Sequence, residues 1–241
     1  RDYYASRGLG DVYKRQMIDR VEVVRGGGSA LFGASAIGGT INIITKEAMR
    51  SGAGISHELT SIGMSGALDN NTSVNASMVT DDGRGGLSVF GQRRSRDGYD
   101  ADGDGFTEIP ALNTITFGTR GHLRLNPFSK LKFEYHGVKE FRRGGNQLDR
   151  PAHEALIAEQ TEHINNSGSL SYEGQSQDGK HTWNAYVSAQ HISRNSYYGS
   201  GMDPKAYGRT TDLTAVGGVQ YSYKFNRLLF MPSQLTAGLE Y

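Results

Sequence analysis

From about residue 52 to Tyr241 the chain keeps a period of two. In NTITFGTRGHLRLN, residues 113–126, Ile115, Phe117, Leu123 and Leu125 fall on one side. Thr116, Arg120, His122 and Arg124 fall on the other. TDLTAVGGVQYSYKF, residues 211–225, sets Leu213, Ala215, Val219, Tyr221, Tyr223 and Phe225 against Thr214, Gln220, Ser222 and Lys224. HTWNAYVSAQH groups Trp183, Ala185, Val187 and Ala189, and the last segment groups Leu235, Ala237, Leu239 and Tyr241. Such alternation is that of a β-strand with one apolar and one polar face. It predicts about nine strands: 52–63, 70–80, 86–97, 113–126, 129–141, 161–175, 180–195, 211–226 and 234–241. Several exceed the usual strand of a water-soluble sheet.

The connections are sorted by length. Tight turns are expected at DDGRGG (81–86), NPFSK (126–130) and QSQDGK (175–180). Long loops are expected at 97–112, 142–159 and 196–210. After the first hairpin, short and long connections take turns. A transmembrane β-barrel has this arrangement, with short turns on one side of the bilayer and long loops on the other. Aromatic residues mark both ends of the strands: Phe128, Tyr172, Tyr223 and Phe225 near the turns, Tyr99, Phe141, Tyr197 and Tyr198 near the loops. They read as two interfacial girdles.

Composition permits this reading. Alternation keeps the average low, so an apolar content of 36% and a mean hydropathy of −0.53 do not argue against a barrel. No run of 18 apolar residues exists, which excludes a transmembrane helix in this sequence. The net charge of +1 supplies no field for nucleic acid, and the absence of cysteine excludes disulfides and thiolate metal sites.

The segment before the strands has another character. IDRVEVV alternates as a short strand, GGGSALFGASAIGG is a small-residue loop, and TINIITK is a second short strand. It fails as a phosphate loop, because Gly33 precedes Ala34 and Gly38 precedes Gly39 where lysine is required. Leu31 breaks both a dinucleotide fingerprint starting at Gly26 and a nucleophile elbow around Ser29.

This segment resembles the end of the plug domain of TonB-dependent outer-membrane receptors. The resemblance rests on Ile18, Arg20, Val21, Glu22, Val23, Arg25 and Gly26, then Ser29–Gly33, then Ile37–Gly39 and Ile41–Lys46. Asp19 stands where the family has Glu, and Gly27 where it has Pro. The resemblance implies an all-β, transmembrane antiparallel barrel of about 22 strands, of which about nine are present, preceded by the C-terminal piece of an α/β plug. Expected domains are 17–47, plug, and 48–241, the N-terminal part of the barrel, with the chain cut off at its C-terminus. Residues 1–16 are expected to be non-native, since SRGLGDVYKRQ, Ser6 to Gln16, resembles one reading frame of a transposase-based sequencing adapter.

The resemblance also assigns residues. Family arginines on this plug strand latch the plug to glutamates of the barrel wall. Here Arg20, Glu22 and Arg25 take the plug side, and Glu134 and Glu173 the wall side. In DGYDADGDGFTE, Asp100, Asp102, Asp104 and Gly105 match the start of an EF-hand loop. Position 111 is Ala rather than the bidentate Glu, so the loop is not an EF-hand. Three carboxylates spaced by two remain a calcium candidate, and a solvated acidic turn is the alternative. Arg142 and Arg143 are candidates to attract an anionic ferric-siderophore, and Tyr197 and Tyr198 to stack on planar cargo. HEALIAEQTEH reads as a short helix or a polar loop end, and His153 and His163 as surface histidines.

The implied function is TonB-dependent import of a ferric-siderophore, cobalamin, haem or glycan across the outer membrane. It requires no cofactor, and calcium is a candidate ligand of the 97–108 loop only. TonB and lipid are the expected partners, and the TonB contact segment is not in this sequence. A soluble carbohydrate-binding or adhesin β-protein is the competing class, and an outer-membrane barrel enzyme a third. No serine–histidine spacing singles out a catalytic pair for the last.

Overall fold

A computed structural model describes residues 18–25, 39–45, 47–48, 50–228 and 230–241. The adapter-like segment, Met17 and the small-residue loop 26–38 lie outside the described residues. The chain divides into two units, Arg1–Glu47 and Ala48–Tyr241. In the first, β1 (Ile18–Arg25) pairs antiparallel with β2 (Gly39–Thr45), with Val23 opposite Ile41 and Glu22 opposite Asn42.

The second unit is one antiparallel sheet of nine strands in simple meander order. The strands are β3 (Gly52–Ser61), β4 (Leu68–Val79), β5 (Gly85–Arg96), β6 (Thr107–Asn126), β7 (Ser129–Gly145), β8 (Ile157–Gln175), β9 (His181–Ser200), β10 (Tyr207–Leu228) and β11 (Met231–Glu240). The expected strand number is met. The expected ends are not: β6, β7, β8, β9 and β10 run further toward the loop side than alternation indicated. Pairing decides this. Along the extra length each strand is still paired with at least one neighbour, as in Ala158 opposite Gly199 and Tyr207 opposite Tyr197. A backbone so paired stays extended whatever the side-chain pattern. Pro110 has no N–H to give, and the β6–β7 register shifts there, between Thr107 and Ala111.

Loops shrink accordingly. Turn-side connections are 80–84, 127–128, 176–180 and 229–230; loop-side ones are 62–67, 97–106, 146–156 and 201–206. HEALIAEQTEH forms no α-helix. Its first two residues end a 3-10 turn, Ala152–Glu154, and from Ile157 onward it is part of β8.

Two turn-side hairpins share one construction. In TDDGRG, Thr80 N–H donates to Gly85 O at 2.9 Å, and Thr80 Oγ1 accepts from Gly85 N–H at 2.8 Å. In SQDGKH, Ser176 and His181 repeat both bonds at 2.9 and 3.0 Å. The turn Asp, Asp82 or Asp178, accepts from its own Thr80 or Ser176 hydroxyl and from the N–H two residues on. Gly83 and Gly179 follow at φ +66, left-handed backbone that suits glycine. The hydroxyl hydrogen bond, then the N–H of Arg84 or Lys180, holds both aspartates below the usual carboxylate range.

Register sorts the side chains of the sheet into two faces. On one rung Met78, Leu87, Gly121, Phe133, Leu170, Val187 and Gly217 stand side by side. On the next are Gly85, Leu123, Leu131, Tyr172, Ala185, Val219 and Leu239. Val187, Val219 and Leu239 are more than half exposed. Leu213 to Tyr221 on β10 covers about 26 Å at ~3.3 Å per residue. Large rings lean over glycines directly opposite: Phe133 over Gly121 and Trp183 over Gly174. A Cβ at either glycine would collide with the ring, which uses part of the chain's high glycine content. The girdle near the turns gathers on the apolar face, with Tyr223 4.8 Å from His181 and 4.6 Å from Phe225, ring centre to ring centre.

Candidate functional site: an arginine cluster on the polar face

The polar face carries hydroxyls, amides and charges. Its most charged region lies toward the loop side, on two adjacent rungs. One holds Arg96, Leu112, Arg142, Thr161 and Ser196; the other holds Arg94, Thr114, Glu140, His163 and Arg194. Four arginines from three strands, β5, β7 and β9, thus lie among carboxylates that include Glu140 and the neighbouring Asp69. They are not equally engaged. Arg94 grips Asp69 with two parallel bonds, 2.9 Å from Nε and 2.6 Å from Nη2. Arg96 gives both its Nε and Nη2 to the Pro110 carbonyl, at 3.2 and 3.0 Å. Arg142 stands 3.8 Å from Glu140. Arg194 donates to Tyr198 Oη at 2.5 Å and lies 5.8 Å from that ring's centre. The buried Nε of Arg142 and of Arg194 have no hydrogen-bond partner. These Nε atoms are closed to solvent, so an anionic acceptor would meet the outer nitrogens of the guanidinium, and the Arg142 side chain is about a third exposed.

The structure redistributes the cargo candidates. Arg142 and Tyr198 belong to this cluster. Arg143 does not: it is one residue on, on the opposite face, and 3% exposed. Its guanidinium donates to the carbonyls of Gly144 at 2.5 Å and Asn146 at 3.2 Å, pinning the start of the β7–β8 loop. Tyr197 is also withdrawn, at 0% exposed. It is packed with Ala152, Ala155 and Ala158, and against the Tyr207 ring at 4.8 Å. The adjacent residue Tyr198 points the other way, to the polar face. Neither tyrosine therefore belongs to a loop-side girdle on the apolar face.

Arg94, Arg96, Arg194 and Glu140 were not singled out from the sequence. RRSR at 93–96 was a visible signal, but which arginines share a face with Arg142 depends on four successive registers across five strands.

Glu134 and Glu173 lie lower on the same polar face, and both are engaged within the sheet. Glu134 accepts from His136 and stands 3.7 Å from Arg120. Glu173 pairs with Lys132 at 2.7 Å. Glu22 and Arg25 belong to the other unit, both exposed on β1, three residues apart and so on opposite faces of it. The side chain of Arg20 lies outside the described residues.

In the 97–106 loop and just beyond it, Asp100, Asp102, Asp104 and Glu108 each offer an oxygen within 4.8 Å of the others. Glu108, on β6, was not counted in the sequence-based set. The loop is shaped by its own acids. Asp100 accepts from Gly105 N–H and Gly103 N–H, both at 2.7 Å, and Asp104 accepts from Phe106 N–H at 2.8 Å. The Gly105 bond first, then that of Gly103, holds the Asp100 carboxyl below the usual range. Calcium takes six to eight oxygens at about 2.3–2.6 Å, and the four carboxylates are spaced to supply several.

No family model matches the chain, and no curated protein matches it in sequence. Among solved structures it is similar to the ferric enterobactin receptor PfeA of Pseudomonas aeruginosa, in complex with enterobactin. The TM-score is 0.68 at 17% identity, over 93% of this chain and 36% of that one. It is similar to the siderophore receptor PirA of Pseudomonas aeruginosa, with TM-score 0.65 and 15% identity, over 97% of this chain and 37% of the receptor. For PirA of Acinetobacter baumannii the values are 0.67 and 18%, over 93% and 34%. Identities this low carry fold and not ligand. The chain has the fold of a segment of these β-barrel siderophore receptors and spans about a third of their length.

Proposed function

We propose that this chain is part of an outer-membrane receptor that imports an anionic ferric chelate, driven by TonB acting outside the segment seen here. The apolar face is then the lipid face and the polar face the lumen wall. One observation carries the cargo reading: Arg142, its side chain about a third exposed, and Arg194, bonded to Tyr198, stand on adjacent rungs of the polar face. Ferric catecholates and carboxylates are anions with outward oxygen acceptors, and a fixed guanidinium fork suits them. Tyr198 adds a ring that can stack on an aromatic ligand. The named neighbours, a ferric enterobactin receptor and two siderophore receptors, support that class over cobalamin. Transport of this kind needs no catalytic group.

The exposed apolar face favours a membrane over a soluble carbohydrate-binding sheet. A contiguous apolar patch of this extent left in water promotes association. The band on β10 is of the order of the ~25 Å expected of an outer-membrane barrel. In the same reading Asp100, Asp102, Asp104 and Glu108 bind calcium at the outer surface and stiffen the loop. The test is binding of a trianionic ferric tris-catecholate to the intact receptor containing this segment. Arg142→Ala with Arg194→Ala is expected to weaken it at least tenfold and to flatten its salt dependence. Unchanged affinity contradicts the assignment.

A further inference from the structure

The cluster contains one carboxylate that has an arginine at ion-pair distance but no close two-bond grip. Glu140 is 2% exposed. Its Oε2 accepts from the Thr114 hydroxyl at 3.1 Å, and its Oε1 stands 3.8 Å from Arg142 Nη2. Asp69, by contrast, has both oxygens closed by Arg94. Glu140 faces the same side as Arg142 and Arg194, and sits one rung from the first and two strands from the second. The negative charge of Glu140 therefore acts on whatever those two arginines hold.

We propose that Glu140 is a specificity-determining residue that sets how much negative charge the site accepts. This rests on the reading of the arginine cluster as the cargo site. Glu140 opposes every anionic charge on the cargo, so its effect grows with cargo charge and vanishes for a neutral one. Without it, the four arginines would be balanced only at the β4–β5 side, by Asp69 and by Glu58 on the Arg94 rung, and the site would hold a polyanion too tightly to release it inward. With it, the site discriminates by charge through a group that cargo oxygens do not replace.

The experiment uses the intact receptor and two iron probes of similar size, a trianionic ferric tris-catecholate and a neutral ferric tris-hydroxamate. Glu140→Gln keeps a hydrogen-bond partner for Thr114 and removes the charge. It is expected to tighten the trianionic probe about tenfold, the scale of a few unit-charge repulsions across a partly screened site. The neutral probe is unchanged. Glu140→Ala removes the same charge with another side chain and gives the same shift in the ratio. Glu140→Asp keeps the charge and the wild-type ratio. A ratio unmoved in both neutral variants, or weakening of both probes together, overturns the proposal and leaves the cargo site standing. A wild-type receptor that binds neither probe overturns the cargo reading and this inference with it.

Discussion

Arg142 and Arg143 show how far one residue step reaches in a strand. Both are arginines at the loop-side end of β7. Alternation sends Arg142 to the polar face beside Glu140 and Arg143 to the other face, where backbone carbonyls accept from its Nη1 and Nη2. The two should fail differently. Arg142→Ala should cost cargo affinity and little stability. Arg143→Ala leaves buried carbonyls without their charged donor, a loss of about 1–3 kcal/mol, read as a lower melting temperature with the affinity of folded receptor retained. The reverse pattern contradicts the assignment. At the same scale, Asp100 has a depressed pKa. Its contribution to loop structure is therefore present above the unfolded carboxylate value near 3.9 and is lost only as pH falls through the lower folded value. A carboxyl titration by NMR should find Asp100 ionised where ordinary aspartates are half protonated. Calorimetry at neutral pH should find a calcium site that Asp102→Ala with Asp104→Ala removes, and absence of heat from the intact receptor removes calcium from the account.

Among elements, the turn-side hairpins are the parts most fully encoded locally. TDDGRG and SQDGKH each carry a hydroxyl residue, an aspartate and a glycine at the same offsets, and each closes in the same way. Gly179 sits at φ +66, so Gly179→Ala should cost about 1–2 kcal/mol, with refolding in detergent against urea as the measure. No loss would place the turn in another conformation. These turns, and the alternation between them, were legible because both depend on neighbours a few residues away. The loop-side ends of β6 to β10 were not. Their extended backbone is fixed by partners from other strands, as Ile157 is by Ser200. The loop sequences themselves carry the glycine, proline and acidic residues of irregular structure. The burial of Tyr197 was not legible for the same reason: it depends on Ala152 and Ala155 arriving from the β7–β8 connection.

At the scale of the molecule, sequence and structure agree on the nine antiparallel strands of the second unit, with one apolar and one polar face. What alternation alone left open was which polar residues cluster, because that is set by registers across strands. The apolar face makes a plain prediction. Leu170→Arg, near the middle of the band, should lower barrel stability by about 2–4 kcal/mol, whereas Ser169→Arg, facing the other way, should be tolerated in the membrane. Equal effects would contradict the assignment of faces. The central claim, import of an anionic ferric chelate, is tested most directly by radio-iron uptake. The intact receptor would be expressed in a strain lacking its own siderophore receptors, with and without TonB. Uptake from the trianionic tris-catecholate should require TonB and fall sharply with Arg142→Ala and Arg194→Ala. TonB-independent uptake, or uptake indifferent to both arginines and to chelate charge, would contradict the account.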